Sequence, residues 1–250
     1  MLESILREAG YDLSFTILEI GALPMGEEPF HKLLKEYPSS RILAFEVDPV
    51  LCAELNGKAT RGIHFYPYAL GKTEEEKTFY DTRHPMCSSL YKPNEALIDM
   101  FQNLEVAKLK QTFSVQTVSM DHFADINKIG PVDFIKIDIQ GAELDVFEGG
   151  KKVLKDVLVI VSEVEFVPIY EKQSLFGDVS AFLWDHGLIF HKFLGLAGRS
   201  VKPIVFKNNL NYPSQHLWSD AVFIRDFLKP DLLDDLQLLK TAILMNCPLQ

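Results

Sequence analysis

Cysteine is scarce in this 250-residue chain, basic runs and long apolar runs are missing, and each shortage removes a class of function. The three cysteines, Cys52, Cys87 and Cys247, are odd in number and widely spaced with no C-x-x-C pair. Neither a disulfide framework nor a zinc site is encoded, and reduced thiols fit a cytosol. No five basic residues stand together and the formal net charge is -10, which argues against a surface built to neutralise nucleic-acid phosphates. No apolar run approaches the ~20 residues of a membrane span, and the amino terminus, with Glu3 and Glu8, lacks the apolar core of a secretory signal. The expectation is a cytoplasmic protein with neither nucleic acid nor membrane as partner. A strict G-x-G-x-x-G is absent too: Gly21-Ala22-Leu23-Pro24-Met25-Gly26 fails at the middle glycine, which counts against a nucleotide- or NAD-binding Rossmann enzyme.

What the chain does have is apolar content, 47%, enough for a large core and for one α/β domain over 1–250. Short apolar runs alternate with stretches of helical spacing. Residues 1–14 read as a helix ended by Gly10, Phe15 to Ile20 as the first strand, and Phe30 to Tyr37 as a helix. Arg41 to Val47 is a second strand, after which Asp48 caps a helix begun by Pro49. Ile63 to Leu70 reads as one third strand, and 113–118 as a period-2 strand before a helix over Ser119 to Ile126. Between them the pattern over 78–111 is so weak that the segment reads as a lid or substrate-side insertion, because long loops in compact domains are usually functional. Asp156 to Phe166 is apolar enough for burial on both faces. Leu175 to His186 follows as a helix, Gly187 to Leu194 and Ala221 to Arg225 as strands, and 231–245 as a packing or dimer-contact helix, leaving a homodimer open.

The chain is organised around Val132 to Glu143. Apolar residues at 132, 134, 135, 137 and 139 make a buried strand, and Gln140-Gly141-Ala142 a sharp turn into a helix. Asp138 therefore ends a central strand, where open parallel sheets bind their ligands; the alternative is a capping or turn-stabilising aspartate. Glu19-Ile20-Gly21-Ala22 ends the first strand with a glycine that lets chain and ligand approach closely. Glu46, at the end of the second strand, is placed to accept ribose hydroxyls. Asp138, Glu143 and Glu163 project toward one crevice, with Asp138 the first candidate for a general base and Glu163 the second. Such carboxylates can also hold Mg²⁺, but no ligand spacing supports it and no metal site is expected. Ser88 and Ser89 lack a G-x-S-x-G elbow and read as substrate or cofactor contacts, as does His191 beside a loop on the substrate side.

Taken together, Leu18-Glu19-Ile20-Gly21-Ala22, Ala44-Phe45-Glu46-Val47-Asp48-Pro49, Tyr68-Ala69-Leu70-Gly71, Ser88-Ser89-Leu90 and Asp133 to Glu143 resemble the FkbM family of S-adenosylmethionine-dependent methyltransferases. Trp218 to Phe223 is similar to that family's final strand. The resemblance implies an α/β, Rossmann-like seven-stranded methyltransferase fold, with a mostly parallel central sheet, helices on both faces, and methyl transfer to a hydroxyl oxygen. It further implies that Glu19 and Gly21, with Ala22 behind them, flank the methionine part of the cofactor, that Glu46 holds its ribose, and that Ala69 and Leu70 pass its adenine, with Asp138 beside the methyl. The family usually has its second glycine sooner than Gly26, which here follows Pro24 and Met25. The expectation is methylation of a small or sugar-like hydroxyl compound, against a rival reading as a non-catalytic cofactor-binding module.

Overall fold

The computed structural model describes residues 13–22 and 28–246. Nearly all of the helix read over 1–14, the Pro24-Met25-Gly26 turn and Cys247 lie outside the described residues. Among those described, eleven strands form: β1 (Thr16–Ile20), β2 (Arg41–Phe45), β3 (Ile63–Tyr66), β4 (Ala69–Gly71), β5 (Glu76–Thr82), β6 (Leu109–Ser119), β7 (Phe134–Ile137), β8 (Val159–Glu165), β9 (Leu188–Phe193), β10 (Ala197–Arg199) and β11 (Gln215–Arg225). The central sheet runs β3-β2-β1-β7-β8-β11, with β9 and β10 sharing the outer edge of β11. Its first five strands pair in parallel, and β11 is antiparallel to β8 and to both edge strands. The seven expected strands are thus joined by an eighth, the short β10.

Side chains alternate along each strand, so one sequence feeds two cores. Leu18, Leu43, Ile135, Ile160 and Phe223 face one cluster, while Ile17, Ile42, Phe134, Val159 and Val222 face the other. The first cluster is covered by Phe123 of one helix (Met120–Asn127), Val146 and Phe147 of a second (Glu143–Glu148) and Leu183 of a third (Phe176–Asp185). The opposite cluster takes Leu33 from Lys32–Glu36 and Ile243 and Leu244 from Asp235–Asn246. That last helix therefore packs on its own sheet. Asp48 caps the helix Pro49–Lys58 as read, accepting the amides of Val50 and Leu51.

Two readings change. The third strand is not continuous: Pro67 has no N–H for a ladder, the chain leaves the central sheet after Tyr66, and Ala69–Gly71 pairs with β6 in a separate three-stranded sheet, β4-β6-β5. The weakly patterned segment 78–111 is framed by a long hairpin of β5 and β6, of which a short alternation at Thr78 to Asp81 is the part visible in the sequence. Its interior holds the helix Glu95–Met100 and a third apolar cluster of Ile98, Phe101 and Leu104 against Ile169, Tyr170 and Leu217. No helix among the described residues is long and apolar enough to cross a membrane.

Candidate active site

A cavity of about 420 Å³ opens at the carboxyl ends of β1, β2 and β7. Gly21, Glu46, Tyr68, Ala69, Leu70 and Asp138 line it from the sheet side, and Phe79, Asp81, Met86, Ser88 and Phe113 from the hairpin and the segment inside it. A smaller recess of about 130 Å³ takes in Glu19, Glu28 and Lys136. Ile20, Gly21, Met86 and Asp138 belong to both linings.

Gly21 is where two strand ends come closest. Its φ is +85°, and a Cβ there would lie 1.9 Å from the Asp138 carbonyl oxygen, while the Asp138 amide donates to the Ile20 carbonyl at 3.0 Å. Only glycine lets the backbones meet in this way.

The turn after β7 is held by a residue that the sequence suggested for another role. The amides of Ile139 and Gly141 donate to the two carboxylate oxygens of Glu143, each at 2.9 Å, and Glu143 is only 2% exposed. Glu143 is thus a brace beneath the turn and lines neither hollow, and Asp138 is left free of the turn-capping duty.

Gln140, which the sequence reading passed over, ties the site together. It is held at φ 60°, and its Nε2 donates to Asp138 Oδ1 at 2.8 Å and also to the Glu163 carboxylate. Its Oε1 lies 3.0 Å from the Tyr170 hydroxyl, and its carbonyl accepts from Ser89 Oγ at 2.7 Å. The only hint in the sequence was its place before Gly141 in a tight turn.

Charge is crowded here. Lys136 pairs with Asp220 at 2.7 Å; burial works against its charge, but Asp138 and Asp220 outweigh that and hold it above the usual lysine range. Burial pushes Glu143 up to about 7, with Asp138 adding to the rise. Glu163 and Glu165 stand well above the carboxylate range, from burial first and then from neighbouring carboxylates. Burial also raises Glu46, against the Asp48 amide that donates to its Oε1 at 2.8 Å. Carboxyls raised in the fold bind protons that the unfolded chain releases, so their contribution is full below about pH 4.5 and is lost as pH climbs through their folded values. The melting temperature is expected to fall by about 3–8 °C between pH 6 and 8. Glu165→Gln should flatten that slope in thermal melts; an unchanged or rising profile would contradict the buried cluster.

The remaining sequence candidates divide. Glu19 lines the recess rather than the large cavity, and its Oε2 is 3.1 Å from His31 Nε2. Ala22 is packed in the second core, its amide bonded to the Phe45 carbonyl at 3.2 Å, and it lines neither hollow. Ser88 lines the large cavity, whereas Ser89 is buried behind it on Gln140. Glu163 lines neither hollow; it bears directly on Asp138, and Gln140 Nε2 donates to both carboxyls. His191 is exposed on β9 at the outer edge of the sheet, apart from both hollows, because strand order puts β8 and β11 between it and Asp138. Among the described residues no three His, Cys, Asp or Glu side chains are grouped to hold a metal ion.

The model of the Methyltransferase FkbM domain matches residues 19–190. A curated relative, "Methyltransferase 1" of Beauveria bassiana, is 30% identical over 127 residues, 46% of this chain and 51% of its own length, so the match spans about half of that relative. Among solved structures, a precorrin-6y C5,15-methyltransferase from Geobacter metallireducens superposes with a TM-score of 0.41 at 12% identity, covering 90% of this chain and 87% of that one. The fibrillarin pre-rRNA processing protein of Methanococcus jannaschii gives 0.41 at 13% identity, over 85% and 67%.

Proposed function

The chain belongs to the FkbM family of S-adenosylmethionine-dependent methyltransferases, and from that premise we propose that it methylates a hydroxyl oxygen on a small, sugar-like acceptor, with Asp138 as the base. The observation that carries the reading is the shared lining: Asp138 and Gly21 face both the larger cavity and the smaller recess. Cofactor on one side and acceptor on the other would meet at that carboxylate.

The residues present suit the cofactor. A cavity of about 420 Å³ is of ligand size, and Glu46 offers an acidic acceptor at the end of β2 for a pair of ribose hydroxyls. Ala69 and Leu70, with Tyr68, would border the adenine, and the bare backbone of Gly21 would pass the amino-acid end. When bound, the cofactor supplies an electrophilic methyl group on a sulfonium. The chain itself does the rest: it aligns the acceptor oxygen, excludes water and receives the hydroxyl proton on Asp138 as the oxygen gains the methyl. Lys136, Glu19 and Glu28 give the recess hydrogen-bonding groups of both kinds, which favours a polyhydroxylated acceptor.

Glu46→Ala tests the cofactor half. It is expected to weaken S-adenosylhomocysteine by about 1.5–3 kcal/mol in titration calorimetry, the range for a hydrogen bond to a charged group. Unchanged affinity would remove Glu46 from the ribose site.

A further inference from the structure

Asp138 and Glu163 meet at one nitrogen. Gln140 Nε2 donates to Asp138 Oδ1 at 2.8 Å and also to the Glu163 carboxyl, so side chains from the end of β7 and from β8 share the two hydrogens of a single amide. The sheet sets this up. β7 and β8 run parallel with Ile137 opposite Ser162, and one step further along both chains stand Asp138 and Glu163, whose side chains leave the same face. Asp220 of β11 is opposite Glu163 on its other side, and Lys136, two residues before Asp138, reaches across to Asp220 at 2.7 Å. Gln140 is itself fixed: its backbone is held at φ 60° in the turn braced by Glu143, and its Oε1 lies 3.0 Å from the Tyr170 hydroxyl.

An amide N–H asks only for an acceptor, and a carboxyl supplies one in either protonation state. Two carboxylates held on one amide in a poorly hydrated site repel strongly, whereas a single proton between them removes the repulsion and adds a hydrogen bond. The surroundings decide which carboxyl keeps that proton. Asp138 lines both hollows, where water and ligand reach it, and Glu163 lines neither. The titratable groups around Glu163 are Asp138 and Lys136 of β7, Glu165 two residues along β8, Asp220 of β11, Glu143 of the helix after the turn, and Tyr170. Carboxyls outnumber the Lys136 ammonium, which Asp220 already engages. Burial first, then Asp138 and Glu165, accordingly hold Glu163 well above the carboxylate range, and its carboxyl bonds directly to Asp138.

We infer that Glu163 is a positioning residue for Asp138: it keeps the one proton that the pair shares and donates it in a hydrogen bond that turns the ionised Asp138 toward the acceptor hydroxyl. The inference rests on the methyltransferase reading for the reaction, while the shared proton can be tested without it. As the acceptor oxygen gains the methyl group, its proton passes to Asp138, and the pair goes from one negative charge to none. Asp138 then releases that proton to water through the cavity it lines, and Glu163 retains its own throughout.

Carbon-13 NMR of the chain labelled at its glutamate side-chain carboxyls reads the proton directly. The resonance missing from Glu163→Gln belongs to Glu163. In the wild-type chain it should keep the shift of a protonated carboxyl at neutral pH, and in Asp138→Asn, with the neighbouring charge gone, it should titrate at lower pH. Single-turnover rates read the positioning. Glu163→Gln keeps a neutral N–H donor beside Asp138 and should stay within about threefold of wild type, while Glu163→Leu should lose about 10–10²-fold, the scale of a misplaced reacting group. Because Glu163 acts through Asp138, Glu163→Leu should cost less than about threefold in an Asp138→Asn background. Binding of S-adenosylhomocysteine close to that of wild type shows that the variants fold; if Glu163→Leu does not, the resonance and the Gln variant still decide. An ionised Glu163 at neutral pH in the wild-type chain, equal rates in the Gln and Leu variants, or an undiminished cost of Glu163→Leu in Asp138→Asn would overturn the inference. Failure of the wild-type chain to bind S-adenosylhomocysteine would instead sink the methyltransferase reading and leave the resonance interpretable.

Discussion

Asp138→Asn is expected to fold and bind cofactor almost as wild type does while losing about 10²–10⁴ in turnover, the contribution of a positioned general base. The fold should survive because asparagine keeps an oxygen for the Gln140 amide, and because the turn amides are taken by Glu143 rather than by Asp138. Affinity for S-adenosylhomocysteine should stay within a few-fold, since the proposed ribose contact lies on Glu46. Thermal melting, calorimetry and a single-turnover rate on this one variant separate the roles. A stability loss of about 0.5–2 kcal/mol with normal turnover of the folded fraction would make Asp138 a cap. Loss of cofactor binding in a folded variant would move it into the cofactor pocket and leave positioning alone to explain catalysis, because Glu163 lines neither hollow and is held well above the carboxylate range.

Gly21→Ala carries the largest expected structural effect. The new methyl group would sit 1.9 Å from the Asp138 carbonyl oxygen and 3.1 Å from Ile139 Cγ2, on a backbone at φ +85°. No rotamer change relieves a clash with backbone, so the ends of β1 and β7 must move apart. A loss of about 2–4 kcal/mol is expected, within the range for strain at a left-handed position joined to overpacking. Because Gly21 and Asp138 line both hollows, cofactor affinity should fall in the fraction that remains folded. A variant with wild-type melting and affinity would show that this contact does not build the site.

Much of this arrangement was legible in the residues. Strands such as Arg41–Phe45 and Val159–Glu165 are apolar on successive positions because both faces are buried, and that pattern needs no partner to be seen. Asp48 before Pro49 is a local signal and marks its helix correctly. What could not be read depends on tertiary neighbours. The Glu76–Thr82 strand lacks a sharp alternation since its hairpin is part exposed on both sides. Pro67 was the available warning that Ile63 to Leu70 could not be one strand. Glu143 looked like a site carboxylate because a sequence shows which residue is acidic, not which amides it will face. Gln140 was overlooked for the converse reason: an uncharged amide becomes the link between Asp138, Glu163 and Tyr170 only after three distant segments meet.

The central claim is that the larger cavity holds S-adenosylmethionine. Titration calorimetry of the wild-type chain with S-adenosylhomocysteine, and separately with NAD, tests it most directly. Saturable one-to-one binding of S-adenosylhomocysteine, weakened in Glu46→Ala, with no heat from NAD, is the predicted result. Absence of S-adenosylhomocysteine binding, or tighter binding of NAD, would contradict it.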